Sequence, residues 1–254
     1  MTINTQPTAI MIVIGNEVLS GRTQDKNIGW VAEKLSENGI KLLEARIISD
    51  DEGVIVSTVR GLSAKVDYVF TSGGIGPTHD DITALSVALA FKKKLVINKK
   101  AKKLLEDYYQ SSKLELNESR MKMAYLPAQS KLIMNSVSAA PGFKIKNVWV
   151  MAGVPKIMQA MFLDSVEPRL EKGKIFFSKT LKIKKPEGDI AKVLTNISEE
   201  FDGIDIGSYP FYKPPNIGTN IVLRSKDLKS IEKAIKKISI IFKNMNILFS
   251  IDKS

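Results

Sequence analysis

Apolar runs and helical repeats alternate along the first ninety or so residues. Ala9 to Ile14 reads AIMIVI and runs into Gly15; an unbroken apolar stretch of this length suits a strand covered on both faces of a parallel sheet. After the polar loop NEVLSGRTQDKN, Ile28, Val31, Ala32 and Leu35 recur at helical spacing, and Asn38-Gly39 supplies a stop. The cycle repeats with KLLEARII as a strand, SDDEG as a loop, a helix from Val54 to about Ala64, and DYVFTS as a third strand. Asp81 to Phe91 predicts another helix, with Ile82, Leu85, Leu89 and Ala90 on one face. This alternation predicts an α/β domain with a mostly parallel sheet and right-handed crossovers, whose ligand sits beyond the carboxyl ends of the strands.

Lys99 to Ser119 reads as charged and helical, with the segment closed at Pro127. NVWVMAG predicts a further strand that enters VPKIMQAMFLDSVEPRL, a helix with Pro155 near its first turn, where a missing N–H costs least. The pattern changes around Lys172-Gly173-Lys174. Strand IFFSKTLKI, helix GDIAKVLTNISEEF, strands IDIGSYP and IGTNIVLRS, helix DLKSIEKAIKKISIIF and strand NILFSI then follow. That βαββαβ order is the split-βαβ, ferredoxin-like pattern. Two domains are expected, residues 1–172 and residues 173–254.

Composition narrows the chemistry. The chain of 254 residues has no cysteine and one histidine, which removes disulfides, thiolate metal sites and multi-histidine cages, and leaves carboxylates for a hard cation such as Mg²⁺. The net charge of +11 invites a nucleic-acid reading. It is set aside because 32 of the 38 basic residues are lysines spread over the chain, whereas arginine makes the bidentate contacts to phosphates and base edges. No apolar run approaches the roughly 18 residues of a membrane span, and the N-terminus has no basic region before its short apolar run. A cytoplasmic protein with no membrane or nucleic-acid partner is expected.

The loop TSGGIGPTHDDIT carries the densest chemistry. Gly73, Gly74 and Gly76, between a strand and a helix, let the backbone approach an anion such as phosphate. The loop lacks the Gly-Lys-Ser/Thr of a Walker A loop and the spacing of a dinucleotide fingerprint. Asp80 and Asp81 would repel a bound phosphate unless a cation lay between them, so phosphate together with a divalent metal is the functional reading. The alternative is that one aspartate caps the following helix and the glycines only turn the chain. Asp50-Asp51, and Glu17 with Asn16, bring more carboxylates to the same sheet edge, and helix capping is again the competing reading. His79 is read as a rim residue. Asn117, Arg120 and Lys122 could meet a phosphate, with a solvated helix face as the default.

These loops resemble the MoaB/Mog molybdopterin-binding fold, and within it the branch formed by the N-terminal domain of competence/damage-inducible protein A (CinA) and the similar domain of FAD synthases. IGNEVLSGRTQDKN, ISDDE, TSGGIGPTHDDIT, APGF and AGVP match that branch's loops over Ala9 to about Arg169, and Ser208-Tyr209-Pro210 looks like the small domain of the FAD synthase relatives. The chain departs from the pattern at Asn16, Ser49, Ser138-Ala139, Ala152 and Ile157, where the branch has a threonine, a glycine, a Gly-Thr pair, a proline and a glutamate. The resemblance implies a three-layer α/β/α domain followed by a small α+β domain, in a form without a further deamidase domain. It also implies ligand contacts from Gly15, Asn16, Glu17, Gly73, Gly74, Gly76, Thr78, Pro141, Gly142 and Gly153. Asp50, Asp51, Asp80 and Asp81 would hold a divalent metal, Asp50 and Asp81 being the catalytic pair. The implied activity is metal-dependent hydrolysis of ADP-ribose or FAD pyrophosphates; the alternative is a module that binds molybdopterin or a nucleotide without turnover. A homo-oligomer is expected.

Overall fold

The computed structural model describes residues 6–214 and 216–252, and the chain divides into two compact units, Met1–Gly173 and Lys174–Ser254. The first unit is built on a sheet of six strands. Its parallel part comprises β1 (Thr8–Ile14), β2 (Lys41–Ile48), β3 (Tyr68–Ser72) and the later strand Val148–Met151. Three short strands lie between in sequence: β4 (Leu95–Ile97), β5 (Tyr125–Pro127) and β6 (Lys131–Ile133). With β7 (Gly142–Ile145) preceding Val148–Met151, which is therefore β8, the sheet order is β2-β1-β3-β8-β7-β6. The antiparallel margin of β7 and β6 and the two-stranded ribbon of β4 and β5 were not predicted. Strands of three or four residues give too short a run for periodicity to register.

Burial on both faces follows from the period of two along a strand. In β1, Ile10, Ile12 and Ile14 point into one core, where they meet Ile55, Val59 and Leu62 of one helix, while Ala9, Met11 and Val13 join Val31 and Leu35 of another helix in the opposite core. Those helices are α2 (Asn27–Glu37), which follows the single turn α1 (Asn16–Leu19), and α3 (Glu52–Ser63). The first core is completed by α4 (Thr83–Ala90) and α5 (Lys99–Ser111). The second is completed by α7 (Pro155–Met161), which follows the short α6 (Glu118–Met121) and continues as a π-helical turn through Phe162–Val166. The outcome is a three-layer α/β/α domain.

Two helix expectations need correction. α4 buries Thr83, Ser86, Val87, Ala88 and Ala90, while Leu85 and Leu89 are 39% and 41% exposed. The helix is apolar nearly all round, so spacing alone could not choose its inner face. The charged helix predicted for 99–119 ends at Ser111, because Lys113 takes a left-handed conformation (φ 55°) that breaks it.

The second unit contains β9 (Phe177–Ile183), α8 (Ala191–Glu200), β10 (Asp205–Lys213), β11 (Asn216–Ser225), α9 (Leu228–Asn244) and β12 (Phe249–Asp252). Its sheet order β10-β11-β9-β12 is antiparallel throughout, and Leu181, Ile221 and Leu223 pack against Ile231, Ile235 and Ile238 of α9. This is the ferredoxin-like arrangement.

Candidate functional site

A cavity of about 660 Å³ opens at the carboxyl ends of the four parallel strands. Each strand delivers lining residues to it: Ile14 and Glu17 after β1, Asp50 after β2, Gly73 to Pro77 with Asp80 and Asp81 after β3, and Ala152 to Pro155 after β8. Strand order reverses between β1 and β3, the position at which open parallel sheets leave a crevice. The glycines after β3 are forced by space. A Cβ at Gly73 (φ 111°) would stand 2.1 Å from the Ile14 carbonyl oxygen, and one at Gly74 (φ 66°) 2.1 Å from Thr83 Oγ1. Close approach of β1, the loop and α4 therefore needs both.

The loop is closed on itself. Thr83 N donates to the Gly74 carbonyl (2.9 Å), and Asp81 Oδ2 accepts from Thr78 N (2.8 Å) and Thr78 Oγ1 (2.5 Å). Neither aspartate caps α4, whose N-cap is Ile82 with no side-chain bond; the capping alternative for this pair is thereby removed. The nearby Thr78 hydroxyl first, then its own amide, holds the Asp80 carboxyl below its ordinary value, with smaller help from His79 and Lys122. His79 is 98% exposed, 3.9 Å from Asp80, a rim position.

The other carboxylates separate by task. Asp50 accepts from Asn16 N (2.7 Å) and so ties the end of β2 to the turn after β1 while lining the cavity. Asp51 is the N-cap of α3, accepting from Val54 N (2.9 Å), and is not among the lining residues. Gly15, Asn16, Thr78, Pro141 and Gly142 are likewise not among the lining residues. Gly15 donates to the Ile48 carbonyl, Gly142 lies in β7 with the Val150 carbonyl 2.3 Å from where its Cβ would be, and Pro141 borders a smaller neighbouring hollow. Among the described residues, no group of three or more histidine, cysteine, aspartate or glutamate side chains is placed to hold a metal.

Several lining residues carried no local signal. Leu105, Tyr108 and Tyr109 come from α5, Met123 from the turn after α6, and Asn135 from the segment before β7, where Ser138, Ala139 and Ala140, noted in the family comparison of the loops, also line the cavity. Buried Asn27 supports the site from behind, donating to Ser72 Oγ (2.7 Å) and to the Gly153 carbonyl (2.8 Å). The residues flagged as phosphate contacts have other partners. Asn117 caps α6, Arg120 lies over the Tyr109 ring, and Lys122 donates to the Thr78 carbonyl (2.8 Å).

A parallel sheet with a glycine loop and a carboxylate-lined crevice at its switch point defines a ligand-binding α/β domain of MoaB/Mog type. Residues 10–172 match the family described as "Probable molybdopterin binding domain", and residues 175–248 match "FAD synthase, middle domain". The chain belongs to the molybdopterin-binding domain family, in its CinA-like form. A protein of Archaeoglobus fulgidus is 37% identical over 229 residues, covering 90% of this chain and 95% of its own. One of Pyrococcus furiosus is 35% identical over 240 residues, covering 90% and 94%. Among solved structures, the CinA protein of Thermoplasma acidophilum, titled as of unknown function, shares 31% identity at a TM-score of 0.58 over 63% of this chain and 96% of that one. No helix among the described residues is long and apolar enough to cross a membrane.

Proposed function

We propose that the cavity binds a phosphorylated heterocycle, a nucleotide or pterin phosphate, and that with a divalent ion it hydrolyses the pyrophosphate of an ADP-containing molecule such as ADP-ribose or FAD. One observation carries this reading. The cavity is lined by the glycine loop and by Glu17, Asp50, Asp80 and Asp81, and among the described residues no lysine, arginine or histidine lines it. A phosphate beside these carboxylates needs a counter-charge, and Lys122, which reaches the loop, is engaged with the Thr78 carbonyl from outside the lining.

The donor set fits a shared ion rather than a cage. Mg²⁺ takes one or two carboxylates and completes its shell with water and substrate phosphate oxygens, which agrees with the absence of a three-ligand group among the described residues. Asp50 and Asp81 are the residues that would hold it; Asp80 also lines the cavity, and Asp51 is committed to its helix. Such an ion supplies Lewis-acid polarisation of a phosphoryl oxygen. The chain's own contribution is the loop, whose folded-back hydrogen bonds fix the position of Asp81 before any ligand arrives. The match of residues 175–248 to a domain named for FAD synthase makes FAD a reasonable ligand to try. A module that binds without turnover is the second reading, favoured because no histidine or lysine among the described residues lines the cavity to serve as a general base.

The test is calorimetric binding and product release with ADP-ribose and FAD, in Mg²⁺, Mn²⁺ or Co²⁺ and in EDTA. Metal-dependent binding with release of AMP supports the enzyme. Metal-dependent binding alone supports the module. Equal binding in EDTA would overturn the shared-ion reading.

A further inference from the structure

The cavity has one wall that the phosphate chemistry does not use. Leu105, Tyr108 and Tyr109 of α5 and Met123 beyond α6 line it, so an aromatic and apolar surface belongs to the same 660 Å³ space as the glycine loop. The two tyrosine rings meet edge to face, with centroids 5.3 Å apart and planes at 90°. Tyr109 packs against the core, while Tyr108 is 38% exposed.

Tyr109 is also braced. The Arg120 guanidinium carbon lies 4.9 Å from its ring centroid, and Arg120 is not among the cavity-lining residues, so the contact comes from outside the cavity. Arg120 is itself fixed: Nη1 donates to the Glu115 carbonyl, and its backbone N–H donates to the capping side chain of Asn117 (3.0 Å). Two residues on, Lys122 donates to the carbonyl of Thr78 (2.8 Å). One short segment therefore secures both the tyrosine wall and the glycine loop. A cationic group over a tyrosine face is attracted to the ring's negative face, which favours one ring orientation.

The cavity draws only acidic charged side chains from the described residues. It can select by shape and π-surface. We infer that Tyr108 and Tyr109 seat the flat heteroaromatic ring of the ligand, that Arg120 is a positioning residue for Tyr109, and that the site thereby prefers ring-bearing phosphates to ring-less ones. This inference rests on the phosphate-binding reading above and assigns the end of the ligand which that reading leaves open.

The experiment is calorimetric titration of the full chain with ADP-ribose, FAD and inorganic pyrophosphate, each with Mg²⁺, for wild type and four variants. Wild type is expected to bind the two ring-bearing ligands at least about tenfold more tightly than pyrophosphate, since only they can stack on the tyrosine rings. Tyr109→Leu and the more exposed Tyr108→Leu should each weaken ADP-ribose and FAD by about tenfold and leave pyrophosphate unchanged. Tyr109→Phe keeps the ring and should bind as wild type does. Arg120→Gln should weaken only the ring-bearing ligands, by less than Tyr109→Leu. Equal wild-type affinity for all three ligands, or a loss in the tyrosine variants that pyrophosphate shares, overturns the ring seat while phosphate binding stands. Failure of all three to bind with Mg²⁺ overturns the phosphate reading and this inference together.

Discussion

Adjacent and paired aspartates look alike in a sequence, yet Asp51 and Asp81 carry different burdens. Asp51 caps α3 through Val54 N, so Asp51→Ala should cost about 1 kcal/mol of stability and leave ligand affinity nearly unchanged, as chemical denaturation and calorimetry would show. Asp81 lines the cavity and accepts twice from Thr78. Asp81→Asn should lower metal-linked ligand affinity more than tenfold, about 1.4 kcal/mol, with a stability loss within about 1 kcal/mol. Thr78→Val is the control: it removes a hydrogen bond to Asp81 but no charge, and affinity should fall less. If both variants lose affinity equally, Asp81 acts through loop shape and not through its charge. The same threonine depresses Asp80. A carboxyl whose folded pKa lies below its unfolded one contributes stability at pH values above the ordinary carboxylate range, and the contribution is lost as pH falls through the lowered folded value. Thr78→Val should therefore move the Asp80 titration upward toward its ordinary position, measurable by carboxyl carbon NMR.

At the scale of elements, α4 shows why packing and periodicity differ. Val87 is fully buried and Leu89 is 41% exposed. Val87→Ala should cost about 1–3 kcal/mol through the transfer and cavity terms, and Leu89→Ala less than about 1 kcal/mol; urea melts would rank them. The reverse order would place the inner face where the spacing of Ile82, Leu85 and Leu89 puts it. The loop before α4 is stiffer than its glycine content suggests. Gly73→Ala would drive a methyl into the Ile14 carbonyl at 2.1 Å, with no flexible side chain to yield, so loss of several kcal/mol or insolubility is the expected result.

For the molecule as a whole, the two units have separate cores: the clusters on either face of the six-stranded sheet hold residues 9–170 only, and Leu181 to Ile247 form another. A fragment ending at Gly173 should therefore fold alone and melt cooperatively. A fragment that is insoluble or lacks near-ultraviolet circular dichroism would show that its core depends on the remainder of the chain. The positive charge of +11 is compatible with an acidic cavity, because the lysines lie outside its lining.

The alternation of apolar runs with helical repeats was enough to specify the parallel half of the sheet, its principal helices and the ferredoxin-like second unit, since those elements are long enough for a period of two or 3.6 to repeat. The glycine loop and its aspartates were visible for a similar reason: their chemistry is concentrated within a few consecutive residues. What stayed hidden depends on contacts distant in sequence. The margin of β6 and β7 is held by pairing across the chain, as in Lys131 opposite Lys144, and not by any local pattern. The difference between Asp51 and Asp81 lies in which backbone N–H each reaches. The tyrosine wall, some thirty residues beyond the glycine loop, is brought to the cavity only because α5 packs against the same core face as α3 and α4. Sequence thus determined the long elements and put the glycine loop and its aspartates at a strand end, and tertiary packing decided the short strands and which side chains share one space, because only folding converts separation along the chain into distance.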